Sequence, residues 1–271
     1  MKILFFGDIV GKPGRQAVAK IMPELKKKHT PDLIIANIET LAHGKGATLS
    51  TLQNLLDAGV QFFTSGNHVY DKPEYKQLFV DHGDKIIRPA NFASEYAGDG
   101  YKIIQVKDRQ VLLVNLLGQV FMEHQVDQGE VGSPFEKVNE ILNTIGDQAQ
   151  IKILDFHAEA TSEKRAMGFW VDGRMSAVVG THTHVQTADA QILPLGTGYI
   201  TDIGETAGAH TVLGVTTESA LKRFRNHDLE RKKIALEMPE DVTQFEIAYV
   251  IIEIDEATGK CQNIESVWKI A

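Results

Sequence analysis

Two histidines spaced two residues apart close a short apolar run, Val178-Val179-Gly180-Thr181-His182-Thr183-His184. If the run is a strand, side chains two apart share a face, so His182 and His184 can both address one point beyond its end. Imidazole is the commonest protein ligand for transition metals, and such a pair at a strand end is one way to chelate one. A pair of solvated loop histidines is the plain alternative. What favours a metal is that four other apolar runs also end in a side chain able to ligate: Asp8 after the run 2–6, Glu39 and Thr40 after 32–37, Asn67 and His68 after 60–64, and His157 after 151–156. Each has its own ordinary explanation. Asp8 could cap a turn, Glu39 and Thr40 could be loop residues, Asn67 could hold a left-handed turn, and His157 could be a satisfied core histidine. Taken together, these do not explain why every buried strand should end in this way. Asp155, two residues before His157, reads as a partner or structural residue rather than a ligand. A set of carboxylate, amide and imidazole suits manganese, iron or zinc, and a single cysteine, Cys261, excludes a thiolate zinc site.

These residues must be positioned by regular elements, and the pattern supplies them. Residues 2–6 read as a buried strand stopped by Gly7, and a helix follows from about Arg15 to Lys28 with Pro23 as a kink. Buried strands are expected over 32–37 and 60–64, with a helix between them capped by Ser50 and running through Ala58. A helix near 74–82 and a hairpin (101–106 and 110–115) follow. The remaining elements are a helix over 135–144, strands over 151–156 and 176–179, short strands at 191–194 and 199–201, a helix from Thr217 to about Arg225, and two antiparallel strands, 246–254 and 263–269. Strands alternating with helices call for an α/β fold whose parallel or mixed sheet is covered on both faces, with ligands gathered outside the carboxyl ends of the strands. There is no repeat, low-complexity tract or linker, so one domain is expected across 1–271. Of ten histidines, His29, His43, His82, His124, His210 and His227 fall in helices or polar loops and read as surface residues.

Composition narrows the function classes. The 271 residues carry 43% hydrophobic and 24% charged side chains, ordinary for a soluble globular protein. A net charge of −8, with no basic cluster beyond Lys26-Lys27-Lys28, argues against a broad nucleic-acid surface but not against a small phosphorylated substrate neutralised by bound cations. The start lacks a signal-peptide pattern and no apolar run approaches a membrane span, so a cytoplasmic protein is expected. The composition leaves room for a homo-oligomer.

The combination of Gly7-Asp8, Gly66-Asn67-His68, an isolated strand-end His157 and Gly180-Thr181-His182-Thr183-His184 resembles the calcineurin-like metallophosphoesterases. Three longer motifs look more closely like the bacterial YmdB-type phosphodiesterases: Gly7-Asp8-Ile9-Val10-Gly11-Lys12-Pro13-Gly14-Arg15, Asp155-Phe156-His157-Ala158-Glu159-Ala160-Thr161-Ser162-Glu163-Lys164 and Gly180-Thr181-His182-Thr183-His184-Val185-Gln186-Thr187-Ala188-Asp189. The resemblance covers nearly the whole chain. It implies a four-layer αββα sandwich, a dinuclear iron or manganese centre of divalent or mixed-valence ions, and hydrolysis of phosphodiesters including 2′,3′-cyclic nucleotides. Carried over by motif, Asp8 and His184 would hold one metal, Asn67, His157 and His182 the other, and Glu39 would bridge them. His68 would face the scissile phosphate as acid or charge stabiliser.

One departure bears on activity. The family reads Asn-Gly-Glu-Asn where this chain has Asn37-Ile38-Glu39-Thr40. Thr40 offers a hydroxyl in place of an amide ligand, a weak metal or substrate contact, and Ile38 replaces a glycine whose dihedrals a β-branched residue resists. The departure motivates an alternative from another class, a regulatory or scaffolding protein with a degenerate metal site. Lys45, between Gly44 and Gly46, reads as a solvated loop lysine. A dinucleotide-binding assignment fails, because Gly7, Gly11 and Gly14 have the wrong spacing and Asp8 would repel a pyrophosphate.

Overall fold

Apolar runs flanked by turn residues, without strict alternation, favour strands buried on both faces, and helices between them supply the covering layers. The computed structural model describes residues 1–122, 131–226, 233–239 and 241–271. Its elements are β1 (Lys2–Ile9), α1 (Gly11–His29), β2 (Leu33–Asn37), α2 (Leu49–Ala58), β3 (Phe62–Thr64), α3 (Tyr75–His82), β4 (Tyr101–Val106), β5 (Arg109–Leu117), α4 (Pro134–Ile145), β6 (Ile151–His157), α5 (Thr161–Trp170), β7 (Ala177–Thr181), β8 (Gln191–Ile192), β9 (Gly198–Ile200), β10 (Glu205–Gly208), α6 (Thr217–Phe224), β11 (Phe245–Ile254) and β12 (Cys261–Ile270).

They form two six-stranded mixed sheets, ordered β12-β11-β10-β1-β2-β3 and β4-β5-β6-β7-β9-β8. In the first, β1 runs parallel to β2 and β10, and β11 is antiparallel to both β1 and β10. In the second, β5, β6, β7 and β9 are parallel, with β4 and β8 as antiparallel edges. Ile3, Phe5, Leu33 and Ile35 of the first sheet pack against Leu113, Ile153, Val179 and Ile200 of the second. Val18, Leu25 and Leu52 of α1 and α2 cover Leu4, Phe6 and Ile34 on the outer face of the first sheet. On the far side, Val138 and Ile141 of α4 and Met167 of α5 cover Leu112, Leu154 and Val178. The result is the four-layer αββα sandwich.

Several boundaries differ from expectation for identifiable reasons. Gly7 does not stop β1. It sits at a register shift between Phe6 and Asp8, where an added Cβ would lie 1.9 Å from the Gly204 carbonyl oxygen, so it marks a close approach of two chain segments. α1 begins at Gly11, before Arg15, because Pro13 falls in the first turn, where its missing N–H costs nothing. Thr48, not Ser50, caps α2, in a reciprocal box with Thr51. His29 is buried, in step with Met22 and Leu25 on the inner face of α1 and edge-on to Tyr249, and is not a surface residue. His43 and His210 are exposed and His82 is half-buried. His124 and His227 lie outside the described residues. Among the described residues, no helix is long and apolar enough to cross a membrane.

Candidate metal centre

Each expected ligand is placed by the end of a strand. Asp8 lies near the end of β1, fully buried, and its Oδ2 accepts the backbone N–H of His182 at 3.0 Å. His157 ends β6 and is fully buried. β3 ends at Thr64, and the chain then turns through Gly66 and Asn67 against the His157 ring. A Cβ on Gly66 would fall 2.3 Å from His157 Nε2, so only glycine permits this packing. Glu39, just past β2, is almost wholly buried, and its Oε1 accepts the His68 backbone N–H at 2.7 Å and stands 3.8 Å from His157 Nε2.

The two histidines after β7 reach the site by a different route from the one their spacing suggests. β7 stops at Thr181, and His182 and His184 both have positive φ, 102° and 66°. The left-handed turns break the strand alternation and send the rings to different neighbours. His182 Nδ1 comes to 3.1 Å from His157 Nε2, and its Nε2 to 3.0 Å from Glu159 Oε2. His184 Nδ1 lies 2.6 Å from Glu205 Oε2. This strained turn is gripped at its centre. Asp202 Oδ2 accepts the Thr183 N–H at 3.0 Å, the Thr183 hydroxyl at 2.8 Å and the buried Lys164 ammonium at 2.6 Å, and Lys164 also donates to the Thr181 carbonyl at 2.7 Å.

A second network fixes the His157 ring. Asn37 Nδ2 donates to Asp155 Oδ2 at 2.9 Å, the Thr64 hydroxyl donates to the same oxygen at 2.5 Å, and the Thr181 hydroxyl donates to Oδ1 at 2.7 Å. When the Thr181 proton goes to Asp155, Thr181 Oγ1 is placed to accept the His157 Nδ1–H, 2.8 Å away, and His157 Nε2 faces the site. His182 sets Nε2 against Glu159 Oε2 and turns Nδ1 toward His157 Nε2.

Electrostatics reflects the burial. Desolvation raises Asp8 to about 6 and Asp155 to about 7, and lifts Glu39 well above the usual carboxylate range. Burial pushes His157 well below its ordinary value and His182 down to about 4. Burial also disfavours charge on His184, but the Glu205 hydrogen bond and the charges of Asp8, Glu205 and Asp202 outweigh it, bringing the group up to about 9.

These residues fit cations on three counts. His157 Nε2 and His182 Nδ1 stand 3.1 Å apart, close enough to share a proton, and a cation can take that proton's place. Two nitrogens bound to one ion at roughly 2.1 Å and about 90–109° apart stand about 3.0–3.4 Å from each other. Two buried carboxylate oxygens, Asp8 Oδ1 and Glu39 Oε2, make no hydrogen bond. His184 donates its Nδ1–H to a carboxylate, the usual support for a metal-bound imidazole. Among the described residues, no group of three His, Cys, Asp or Glu side chains is already arranged to hold a metal ion, and His182 and His184 each lie against a glutamate.

Asp8, Glu39, His157 and His182 are joined by a continuous chain of contacts, and His184 is close enough to Asp8 for the two charges to interact. His68 lies at the rim, its Nδ1 2.9 Å from Asp71 Oδ2. Lys45 is largely exposed, yet its ammonium is 3.9 Å from that same oxygen, at the edge of the site. The Thr40 hydroxyl donates to the Ile9 carbonyl at 3.2 Å, away from a ligand's role. Ile38 has no positive φ and packs into the core, so the expected backbone strain is absent. Sequence patterning missed Lys164, Asp202, Glu205 and Asp71. Lys164 sits on α5, and Asp202 and Glu205 border β10, elements that the patterning did not register.

The profile of the family described as YmdB-like protein matches residues 4–267. The chain is 42% identical over 267 residues to the 2′,3′-cyclic-nucleotide 2′-phosphodiesterase of Bacillus subtilis (strain 168), covering 98% of this chain and 96% of that protein. A solved phosphatase from Mycoplasma pneumoniae superposes with a TM-score of 0.87 at 31% identity, over 100% of this chain and 93% of that one. A hypothetical protein from Thermus thermophilus does so with a TM-score of 0.87 at 32% identity, over 100% and 99%.

Proposed function

The chain belongs to the YmdB-like family, and from that premise we propose that it is a metal-dependent phosphodiesterase acting on small phosphodiesters of the 2′,3′-cyclic-nucleotide class. The observation that carries this is the close approach of His157 Nε2 and His182 Nδ1 beside the carboxylate oxygens of Asp8 and Glu39 that make no hydrogen bond. Asp8 and His184 would hold one cation, Asn67, His157 and His182 the other, and Glu39 would bridge them. Iron or manganese suits this set of oxygen and imidazole donors without thiolate. When bound, two such ions supply Lewis acidity toward phosphoryl oxygens and make a water nucleophilic near neutral pH.

The chain's own residues do the rest. Asp8 and Glu39 are held ready by the backbone N–H groups of His182 and His68. Asp71 orients the His68 ring through Nδ1, so that His68 can give a proton from Nε2 to the departing ribose oxygen. Lys45, beside Asp71, adds positive charge at the same rim. The test combines metal analysis of purified protein with hydrolysis of 2′,3′-cyclic AMP. His68→Ala should retain metal and lose about 10²–10⁴-fold in turnover, the usual contribution of general acid–base catalysis. Unchanged turnover with full metal content would remove His68 from the mechanism.

A further inference from the structure

Beside His184 the site opens into a cavity of about 640 Å³ whose walls include Val185, Leu213, Glu205, Glu246 and Trp268. Its position follows from the topology. β10 runs parallel to β1, so its carboxyl end emerges at the same edge as Asp8, β11 starts at that edge, and β12 returns to it. On β12, Ile264 belongs to the core between the sheets, and Trp268, four residues on, points to the same face. The cavity therefore continues the cleft between the sheets outward from the metal-ligand His184.

Trp268 is 52% exposed, and its indole Nε1 donates to Glu246 Oε1 at 2.7 Å on the adjacent strand. Val185 and Leu213, 61% and 48% exposed, form an apolar wall in the same cavity. An aromatic face, aliphatic walls and a carboxylate at the edge suit a flat heterocycle that carries an amino group. A carboxylate has roughly four acceptor positions, so Glu246 can hold the indole and still accept from an amine.

We infer that this cavity is the nucleobase subsite, where Trp268 stacks on the base and Glu246 selects bases bearing an exocyclic amine over uracil. The inference rests on the phosphodiesterase assignment, because a cyclic phosphate held by the cations must place its nucleoside against a neighbouring wall. Hydrogen-bond selection by a carboxylate follows the chemistry by which Glu accepts from the cytosine amino group.

Two measurements test it. In a Trp170→Phe background Trp268 is the sole tryptophan. Chelated protein titrated with 3′-AMP should show saturable quenching of its emission, weaker with 3′-UMP and absent with inorganic phosphate. In the loaded enzyme, kcat/KM for 2′,3′-cyclic AMP is compared with that for a base-free methyl riboside 2′,3′-cyclic phosphate. Trp268→Ala should lower this ratio about 5- to 150-fold, the range of a base–aromatic stack, and Trp268→Phe should largely restore it. An unaltered ratio in Trp268→Ala overturns the inference. So does emission indifferent to 3′-AMP, or Trp268 shielded by concentration-dependent dimerisation, which would give the surface to a second copy of the chain. If wild-type enzyme hydrolysed neither compound, the phosphodiesterase assignment would fall, and the quenching alone would decide the base site.

Discussion

Replacing Lys164 by methionine removes one half of the buried pair that grips the turn carrying His182 and His184. Both partners are essentially inaccessible, with side-chain exposures of 1% and 0%. Breaking a pair of this kind by deleting one member costs about 3–5 kcal/mol, most of it the penalty of leaving the other charge buried. After Lys164→Met, Asp202 keeps the Thr183 N–H and hydroxyl and the Gly204 N–H as donors, so the loss should fall near 3 kcal/mol. Asp202→Asn leaves the Lys164 ammonium buried without a counter-charge, with only the Thr181 carbonyl and an amide oxygen to accept from it, and its loss should approach about 5 kcal/mol. At roughly 2–4 °C per kcal/mol, these losses correspond to melting-point drops of about 6–12 °C and about 10–20 °C. The double variant Lys164→Met/Asp202→Asn removes both charges and should cost less than the sum of the singles, a coupling visible in urea denaturation midpoints. Metal content gives a functional readout. His182 and His184 sit at φ values that a side chain resists, each worth about 1–3 kcal/mol of strain, and without the grip on Thr183 the turn can relax and carry the imidazoles out of place. Additive single losses, or wild-type metal content in Asp202→Asn under folded conditions, would refute the clamp.

Four further outcomes follow from the same geometry. Gly66→Ala places a methyl 2.3 Å from His157 Nε2, so the protein should fold but lose metal; full metal content by elemental analysis would show that the ring does not serve as a ligand. Without metal, His184 holds its proton up to about 9 and Asp8 up to about 6, so cation affinity should climb from pH 6 to 9 with proton release measurable by calorimetry in two buffers. Because the His184 value is raised above its unfolded one, its link to Glu205 stabilises the chelated protein fully below about pH 6.5 and fades as pH rises through about 9; a chelated melting point that increases over that window would contradict this. Thr40→Asn returns the family's amide to a position whose hydroxyl now bonds the Ile9 carbonyl. Turnover should change less than tenfold if the native site already works, whereas a hundredfold gain would favour the regulatory alternative with a degenerate site.

The sandwich and most of its strands are legible because each core strand is a short apolar run bounded by turn residues. The exceptions follow a physical pattern. β10 carries Glu205, Thr206, Ala207 and Gly208, too polar and small to read as a buried strand until β1 and β11 are known to flank it. α5 is buried mainly through Glu163, Lys164, Met167 and Gly168, so its inner face lacks the apolar stripe that marks a helix. These two unread elements bring in Lys164 and Glu205, which hold the turn and the second histidine. The candidate ligands at strand ends could be picked out one by one from local sequence. Their supports act across separations of 17 and 21 residues and leave no local trace. Ile38 shows the opposite failure: an expected conformational cost vanished because the turn here needs no glycine dihedral.

Buried polar groups are handled in two distinct ways in this region, and the contrast supports the proposed metal centre. Asp155 and Asp202 are wholly buried, and both oxygens of each accept hydrogen bonds from named donors. Asp8 and Glu39 are buried to a similar depth, yet each keeps one carboxylate oxygen without a hydrogen bond. A buried acceptor left this way costs about 1–3 kcal/mol, and more when charged. Two left-handed non-glycine residues, His182 and His184, add to the cost at the same spot. A chain that satisfies Asp155 and Asp202 so fully has the means to satisfy Asp8 and Glu39 as well, and local conflict of this kind concentrates where a ligand resolves it. Cation binding should therefore raise the melting point more than occupancy of an already satisfied surface site would. The excess should disappear in Asp8→Asn, where a neutral amide relieves the conflict in the metal-free state.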